Sequence, residues 1–300
     1  MRIGIFGGDT GTRTMDEIVT DARQAEEDGF ASYWLPQIFA MDAITALAVV
    51  GREVPRIELG TAVVPTYPRH PMMLAAQALT TQAACDGRFT LGIGLSHQIV
   101  IENMFGLSFE KPARHMREYL LILAPLVRGG AVDYDGETLH AHGGVKVVDA
   151  PPCPILLAAL APKMLELAGT IGDGTITWMT GPDTLEKHTI PAITAAAREA
   201  GKPAPRVCAS LPVCVTDDPA SARARAADEF AMYGMLPSYR AMLDREGAAG
   251  PADVAIVGDA ATVKGAVDHL AEIGVSDFAP ALFGSRADRT ATREVLVGLL

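Results

Sequence analysis

Two histidines, His70 and His97, stand where apolar runs give way to polar loops, in IELGTAVVPTYPRHP (57–71) and GRFTLGIGLSH (87–97). An unperturbed imidazole titrates at about pH 6.5, so either is a candidate proton carrier. Both positions equally suit a hydrogen-bonding or helix-capping histidine. Gln37 closes a third run, SYWLPQ. Its carboxamide can orient a ligand by hydrogen bonds but is neither acid nor base at neutral pH. Trp178 and Met179 close a fourth, TITWM, and offer an apolar wall to a flat aromatic ligand.

Other motifs are weaker. Gly92-Ile-Gly94 follows a strand-like run, but His97 stands where a dinucleotide fingerprint needs a third glycine. Gly7-Gly8-Asp9-Thr10-Gly11 could cradle a phosphate, yet lacks the lysine of a P-loop. Leu160-Ala161-Pro162-Lys163-Met164 joins a strand to a helix, whose free amides and lysine charge suit an anion. His140-x-His142 has the spacing of metal ligands but no third partner, so no metal is expected. Cys85, Cys153, Cys208 and Cys214 form no CxxC pair and read as reduced core thiols.

The elements that carry these residues alternate from end to end. Strands are predicted at 2–6, 32–35, 57–64, 89–95, 155–159, 175–179, 207–215 and 277–283. Between them lie helices opened by Thr14 with Glu17, by Asp42, and by prolines 71, 112, 162 and 219. The helix at 184–200 is expected to be disturbed at Pro191, and helical pieces are read at 239–245, 263–273 and 290–300. Residues 131–149 break the rhythm, and Asp135-Gly136 marks a β-hairpin insertion. Runs such as LGTAVV and PILLAAL are apolar on both faces, as buried parallel strands require. Eight units in 300 residues, with no linker, predict a single (β/α)8 barrel domain spanning 1–300. A doubly wound open sheet is the alternative. Functional residues then belong at the C-terminal ends of the strands.

The formal net charge of −11 argues against a nucleic-acid groove and requires local donors for any anionic ligand. No apolar run is long enough for a membrane span, and MRIGIFGG lacks the h-region of a signal peptide, so the expected location is the cytoplasm.

The chain resembles the luciferase-like oxidoreductase superfamily, and more closely its coenzyme F420-dependent branch. The resemblance rests on RIGIF, DGFASYW, LGTAVVPTYPRHP, AAQALTTQAACDGRFTLGIGLSH, FEKPARHMREYL, PILLAALAPKMLELAGTIGDGTITW and LPVCVTDDP, in order. It implies a (β/α)8 TIM barrel with a hairpin insertion and a deazaflavin or flavin across its C-terminal mouth. It implies a non-proline cis peptide at Ala62-Val63, leading into Val64, beneath the ring. Gly94, Ser96 and His97 would flank the ring, with Trp178 as a wall, and Leu160 to Met164 would hold the phosphate. Many relatives carry an Asp-His pair where this chain has Gln37-Ile38. The expected activity is hydride transfer between coenzyme F420 and a small organic substrate, with His97, then His70, as proton carrier and Gln37 orienting. An FMN-dependent monooxygenase and a non-catalytic flavin-binding barrel are the alternatives. A homodimer is the family expectation.

Overall fold

A parallel strand must bury two faces, and here each strand packs helices on one side and its opposite numbers on the other. The computed structural model describes residues 1–8 and 10–300. The barrel strands are β1 (Arg2–Ile3 and Ile5–Phe6), β2 (Ser32–Leu35), β3 (Glu58–Thr61, resumed at Val64–Pro65) and β4 (Phe89–Gly94). They continue with β5 (Ile155–Leu157), β6 (Gly174–Trp178), β7 (Arg206–Ser210) and β8 (Asp277–Phe278). Every neighbouring pair is parallel, and β1 closes the ring by pairing β2 at Ile5↔Tyr33 and β8 at Arg2↔Asp277. This is the expected TIM barrel.

The helices start where the sequence places them. In α1 (Met15–Glu27) Thr14 and Glu17 form a reciprocal capping box, and Asp42 caps α2 (Ala43–Glu53) through Thr45 N–H. Pro71 and Pro112 open α3 (Pro71–Ala84) and α4 (Pro112–Val127), and Pro162 opens α5 (Pro162–Thr170). Ile3, Ile5, Leu59, Leu91 and Leu157 bury the outer strand faces in the main core. Inside the barrel, Trp34, Leu156, Ile176, Cys208 and Ala279 form a separate plug, with Phe6, Ala62 and Val63 packed on it. All four cysteines are buried and free.

The insertion is a hairpin, Ala131–Asp135 paired with His140–Gly144. The Glu118 carboxylate of α4, 4% exposed, holds its turn by accepting from Glu137, Thr138 and Leu139 N–H at 2.9–3.1 Å and from the Thr138 hydroxyl at 2.7 Å. Burial pulls its pKa up, but these hydrogen bonds outweigh it and hold it below the usual carboxylate range.

Three features differ from the sequence reading. The 184–200 helix is disturbed before Pro191: Leu185–Thr189 is a wide π turn, and Pro191 falls in the first turn of Ile190–Glu199, where no amide is needed. A strand at Ile256–Gly258 was not expected. It pairs with Pro212–Val215, the continuation of β7, which also pairs Ala281–Leu282 beyond β8. A second π turn, Val100–Met104, follows His97. Among the described residues, no helix is long and apolar enough to cross a membrane.

The N-terminal end of the barrel is closed by charge. Arg206 bridges Asp277 and Glu58, each at 2.8 Å, and Arg2 meets the same two carboxylates. Thr90 adds a hydroxyl to Glu58 at 2.7 Å. The Arg206 guanidinium also lies 5.9 Å from the Trp34 ring centroid, which ties this network to the plug. A cavity of about 460 Å³ opens here between Arg2, Glu58, Arg88, Thr90 and Arg206. Asp277 is 4% exposed, so removing Arg206 strands buried carboxylates. Arg206→Met is expected to lower stability by about 3 to 5 kcal/mol in urea unfolding. A loss below about 1 kcal/mol would mean that Arg2 suffices.

Candidate active site

At the opposite end, β3 breaks. The Ala62-Val63 peptide is cis, as the resemblance implies, and the strand resumes at Val64. Thr61 carries the join to β4 with its side chain. Its hydroxyl donates to the Gly92 carbonyl and accepts from Gly92 N–H, both at 2.8 Å, while wholly buried. Ladder pairing returns at Val64↔Ile93 and Pro65↔Gly94. The two glycines of β4 are spacers. A Cβ on Gly92 would lie 1.9 Å from the Thr61 carbonyl oxygen, and one on Gly94 would lie 2.8 Å from Val63 Cγ2. They do not form a nucleotide loop. Ala62 and Val63 face the plug, and Val64 turns outward into the main core.

An aromatic chain crosses the mouth above this bulge. Trp178 stacks on Phe6 at 5.5 Å and meets Tyr233 edge-on at 5.8 Å. Tyr233 meets Tyr239 at 5.2 Å, and Tyr239 lies 5.6 Å from His97. The tyrosines come from two short helices, Ala231–Met235 and Pro237–Glu246. The Trp178 indole N–H is buried beside Tyr233, whose hydroxyl is the described acceptor nearest to hand. Ser96 and Met179, at the ends of β4 and β6, both adopt left-handed backbone (φ 61° and 55°), a conformation that concentrates at functional sites.

The other expected residues separate into two groups. His97 is half-buried at the mouth, and its ring nitrogens hydrogen-bond no described residue. Burial lowers its pKa from the ordinary histidine value, so it is neutral at pH 7. His70 lies on the outside. It caps α3 by accepting Met72 N–H at Nδ1 (3.3 Å), and its Nε2 donates to the His140 carbonyl of the hairpin (3.1 Å). Gln37 braces its own loop, accepting from Ala43 N–H at 2.8 Å and donating to the Ile38 carbonyl at 3.2 Å. At the start of α5, Ala161 is the N-cap and supplies no side-chain cap, and Met164 is buried. Leu160 precedes it, Pro162 takes the first helical position, and Lys163 is turned outward to Glu166 at 3.0 Å. His140 and His142 pair with Asp135 and Asp133 on the hairpin.

One buried group escaped notice in the sequence. His115, 7% exposed, sits under the loop after β3, with Nε2 3.0 Å from the Thr66 hydroxyl and its ring stacked on Tyr67 at 3.9 Å. Burial lowers its pKa to about 4, against a smaller opposing pull from Glu118. The Tyr67 hydroxyl is buried without a described partner, and burial, then Glu102, push its pKa up to about 12. The only trace of His115 in the sequence is its place on the inward stripe of α4, a position that normally takes an apolar residue.

The family model for luciferase-like monooxygenase matches residues 1–277. The 5,10-methylenetetrahydromethanopterin reductase of Archaeoglobus fulgidus is 31% identical over 227 residues, covering 74% of this chain and 67% of the relative. An F420-dependent secondary alcohol dehydrogenase, solved with an F420-acetone adduct, superposes with a TM-score of 0.81 at 19% identity, covering 98% of this chain and 97% of that one. The FMN-bound oxygenating component of 3,6-diketocamphane monooxygenase of Pseudomonas putida superposes at 0.77 and 17% identity, covering 99% and 96%. These two structures share the fold.

Two outcomes test the supports of the mouth. Thr61→Val keeps the shape but leaves both Gly92 backbone groups unpaired, so stability falls by about 1 to 3 kcal/mol with an unchanged denaturant slope. His115 binds its proton near pH 6.5 when unfolded but only near pH 4 when folded. Between those values the unfolded chain holds more protons, so stability falls as pH drops from about 6.5 towards 4. His115→Phe keeps the stack, and its melting temperature should fall less between pH 7 and pH 5 than that of the unmodified chain. An equal fall would assign the effect to other groups.

Proposed function

The chain belongs to the luciferase-like monooxygenase family, and we propose that it is a coenzyme F420-dependent oxidoreductase. The observation that carries this reading is the match to a reductase over most of both chains, joined to a mouth built for a flat ring. The fit of the residues supports it. The Ala62-Val63 bulge offers a platform, and the Trp178 ring offers an apolar wall at its edge. Gly94 and Ser96 border the same end of β4. At the start of α5, Pro162 has no N–H and the Met164 amide donates to the Ala161 carbonyl at 2.9 Å, which leaves the amides of Leu160, Ala161 and Lys163 to receive a phosphate.

Bound there, a deazaflavin supplies hydride acceptance and donation. The protein supplies position and a proton site. His97 is neutral, half-buried and without a described hydrogen-bond partner, so it can take the proton released when an alcohol or amine carbon gives up hydride. Gln37 acts through its loop, holding the end of β2 against the start of α2. Trp178, Tyr233 and Tyr239 exclude water from the space between them. With both ring nitrogens engaged in capping α3 and holding the hairpin, His70 is a positioning residue in this reading.

Titration of the purified chain with coenzyme F420 and with FMN, followed by fluorescence, tests the reading. Saturable F420 binding is expected, with F420 reduction by a member of a panel of secondary alcohols and reduced pterins. FMN binding without F420 binding would transfer the chain to the monooxygenases. His97→Ala should lower turnover by about 100-fold or more with cofactor affinity kept. Unchanged turnover would remove His97 from the reaction.

A further inference from the structure

Outside the barrel, over the ends of β1 and β8, a cleft of about 340 Å³ lies between α1 and the C-terminal helix Arg286–Val297. Among the described residues its lining holds Arg13, Arg286, Arg289 and Arg293, one carboxylate, Asp21, and, at its floor, Phe6 with Gly7 and Gly8. On a chain of net charge −11 this is a local reversal of sign.

The positive charge is only half answered. Asp21 lies 3.2 Å from Arg13 and 3.5 Å from Arg293, and Asp28 pairs with Arg293 from the side. Arg289 donates to the Gly284 carbonyl at 2.6 Å and meets no carboxylate among the described residues. Arg286 has no side-chain partner among them. The Arg293 guanidinium lies over the Phe30 ring, 5.5 Å from its centroid, and is the arginine of the four that is most engaged by the protein itself. The glycine loop borders this cleft, but Gly7 N–H is committed to the Trp34 carbonyl (2.8 Å) and its own carbonyl to Arg13 (2.6 Å). The anion-holding groups are therefore the arginines behind the loop. Asp9, within that loop, lies outside the described residues.

We propose that this cleft binds a compact dianionic group, a phosphate monoester or a dicarboxylate, carried by a small molecule. Among the described residues Arg286 and Arg289 face no carboxylate, and their two charges match one dianion. The forks of Arg286 and Arg289 suit bidentate pairing with phosphate or carboxylate oxygens. The volume leaves room for an organic remainder. Phe6 stands between this cleft and the barrel mouth, but the arginines lie outside the barrel, and the proposal stands whether or not the cofactor reading does.

Thermal unfolding of the full chain tests it, with inorganic phosphate in one arm and malonate in the other, each against sodium chloride at matched ionic strength. A saturable rise in melting temperature is expected with at least one dianion, and the arm with the lower midpoint identifies the group. Arg286→Gln/Arg289→Gln, at two exposed positions, should shift that midpoint by about tenfold or more, a loss of about 1.4 kcal/mol. Arg23→Gln, a paired arginine elsewhere on α1, should leave it unchanged. No saturable rise with either anion overturns the proposal. So does a rise that survives the double variant, since it would report binding elsewhere. Should the double variant unfold on its own, Arg286→Gln alone, which removes no described contact, carries the same comparison.

Discussion

The hydroxyl of Thr61 holds the backbone of β3 to that of β4 at the point where their ladder is interrupted. Everything at the barrel mouth is arranged around that substitution of a side chain for a peptide group. It lets the strand part from its neighbour for two residues and return at Val64 without leaving a buried amide or carbonyl of Gly92 unpaired. The displaced residues, Ala62 and Val63, then project over the plug. The arrangement demands glycine at two places on β4, because Thr61 and Val63 occupy the volume that side chains there would fill. A threonine and two glycines on adjacent strands are thus one device.

The two ends of the barrel divide stability from chemistry, as parallel barrels do. At the N-terminal end, Arg2, Glu58, Arg206 and Asp277 neutralise one another. At the C-terminal end, the His97 ring and the Tyr67 hydroxyl have no hydrogen-bond partner among the described residues. Trp34 joins the two regimes. Its ring lies beneath the Arg206 guanidinium and within the plug on which Phe6, Ala62 and Val63 rest. The charge network below therefore fixes the floor on which the mouth is built.

The eight strands, the hairpin and most helix starts were legible because each rests on local rules. Apolar runs, capping residues and first-turn prolines act within a few positions of one another, as at Thr14 with Glu17 and at His70 with Pro71. What was not legible depends on partners distant in sequence. Ile256–Gly258 has no periodicity of its own and becomes a strand because the continuation of β7 offers it an edge. Thr61 looks like any β-branched strand residue until Gly92 is placed beside it. His115 sits on an apolar stripe, and its hydroxyl partner is 49 positions away. For His70 the two readings diverged on the same ground. Chemistry and capping both suit a histidine before Pro71, and the hairpin carbonyl of His140 is what engages its second nitrogen.

The placement of the histidines narrows how protons can move at this mouth. A group that exchanges protons there must be near the inner face, free of structural hydrogen bonds, and able to change charge near neutral pH. His70 fails the first two conditions, because protonating its Nδ1 would break the cap of α3. His115 fails the third, since burial holds it neutral down to about pH 4. Gln37 has no titrating group, and its amide is bound within its own loop. His97 meets the first two, and burial lowers its pKa below the ordinary histidine value, so it rests as a neutral base, with Tyr239 as the described ring neighbour at 5.6 Å. That neighbour sets a limit on the imidazole. Burial pushes the Tyr239 hydroxyl well above its ordinary range, so it stays protonated and offers no negative charge to stabilise an imidazolium. A proton accepted by His97 is therefore held weakly, which suits a group that must release it again on each cycle rather than store it.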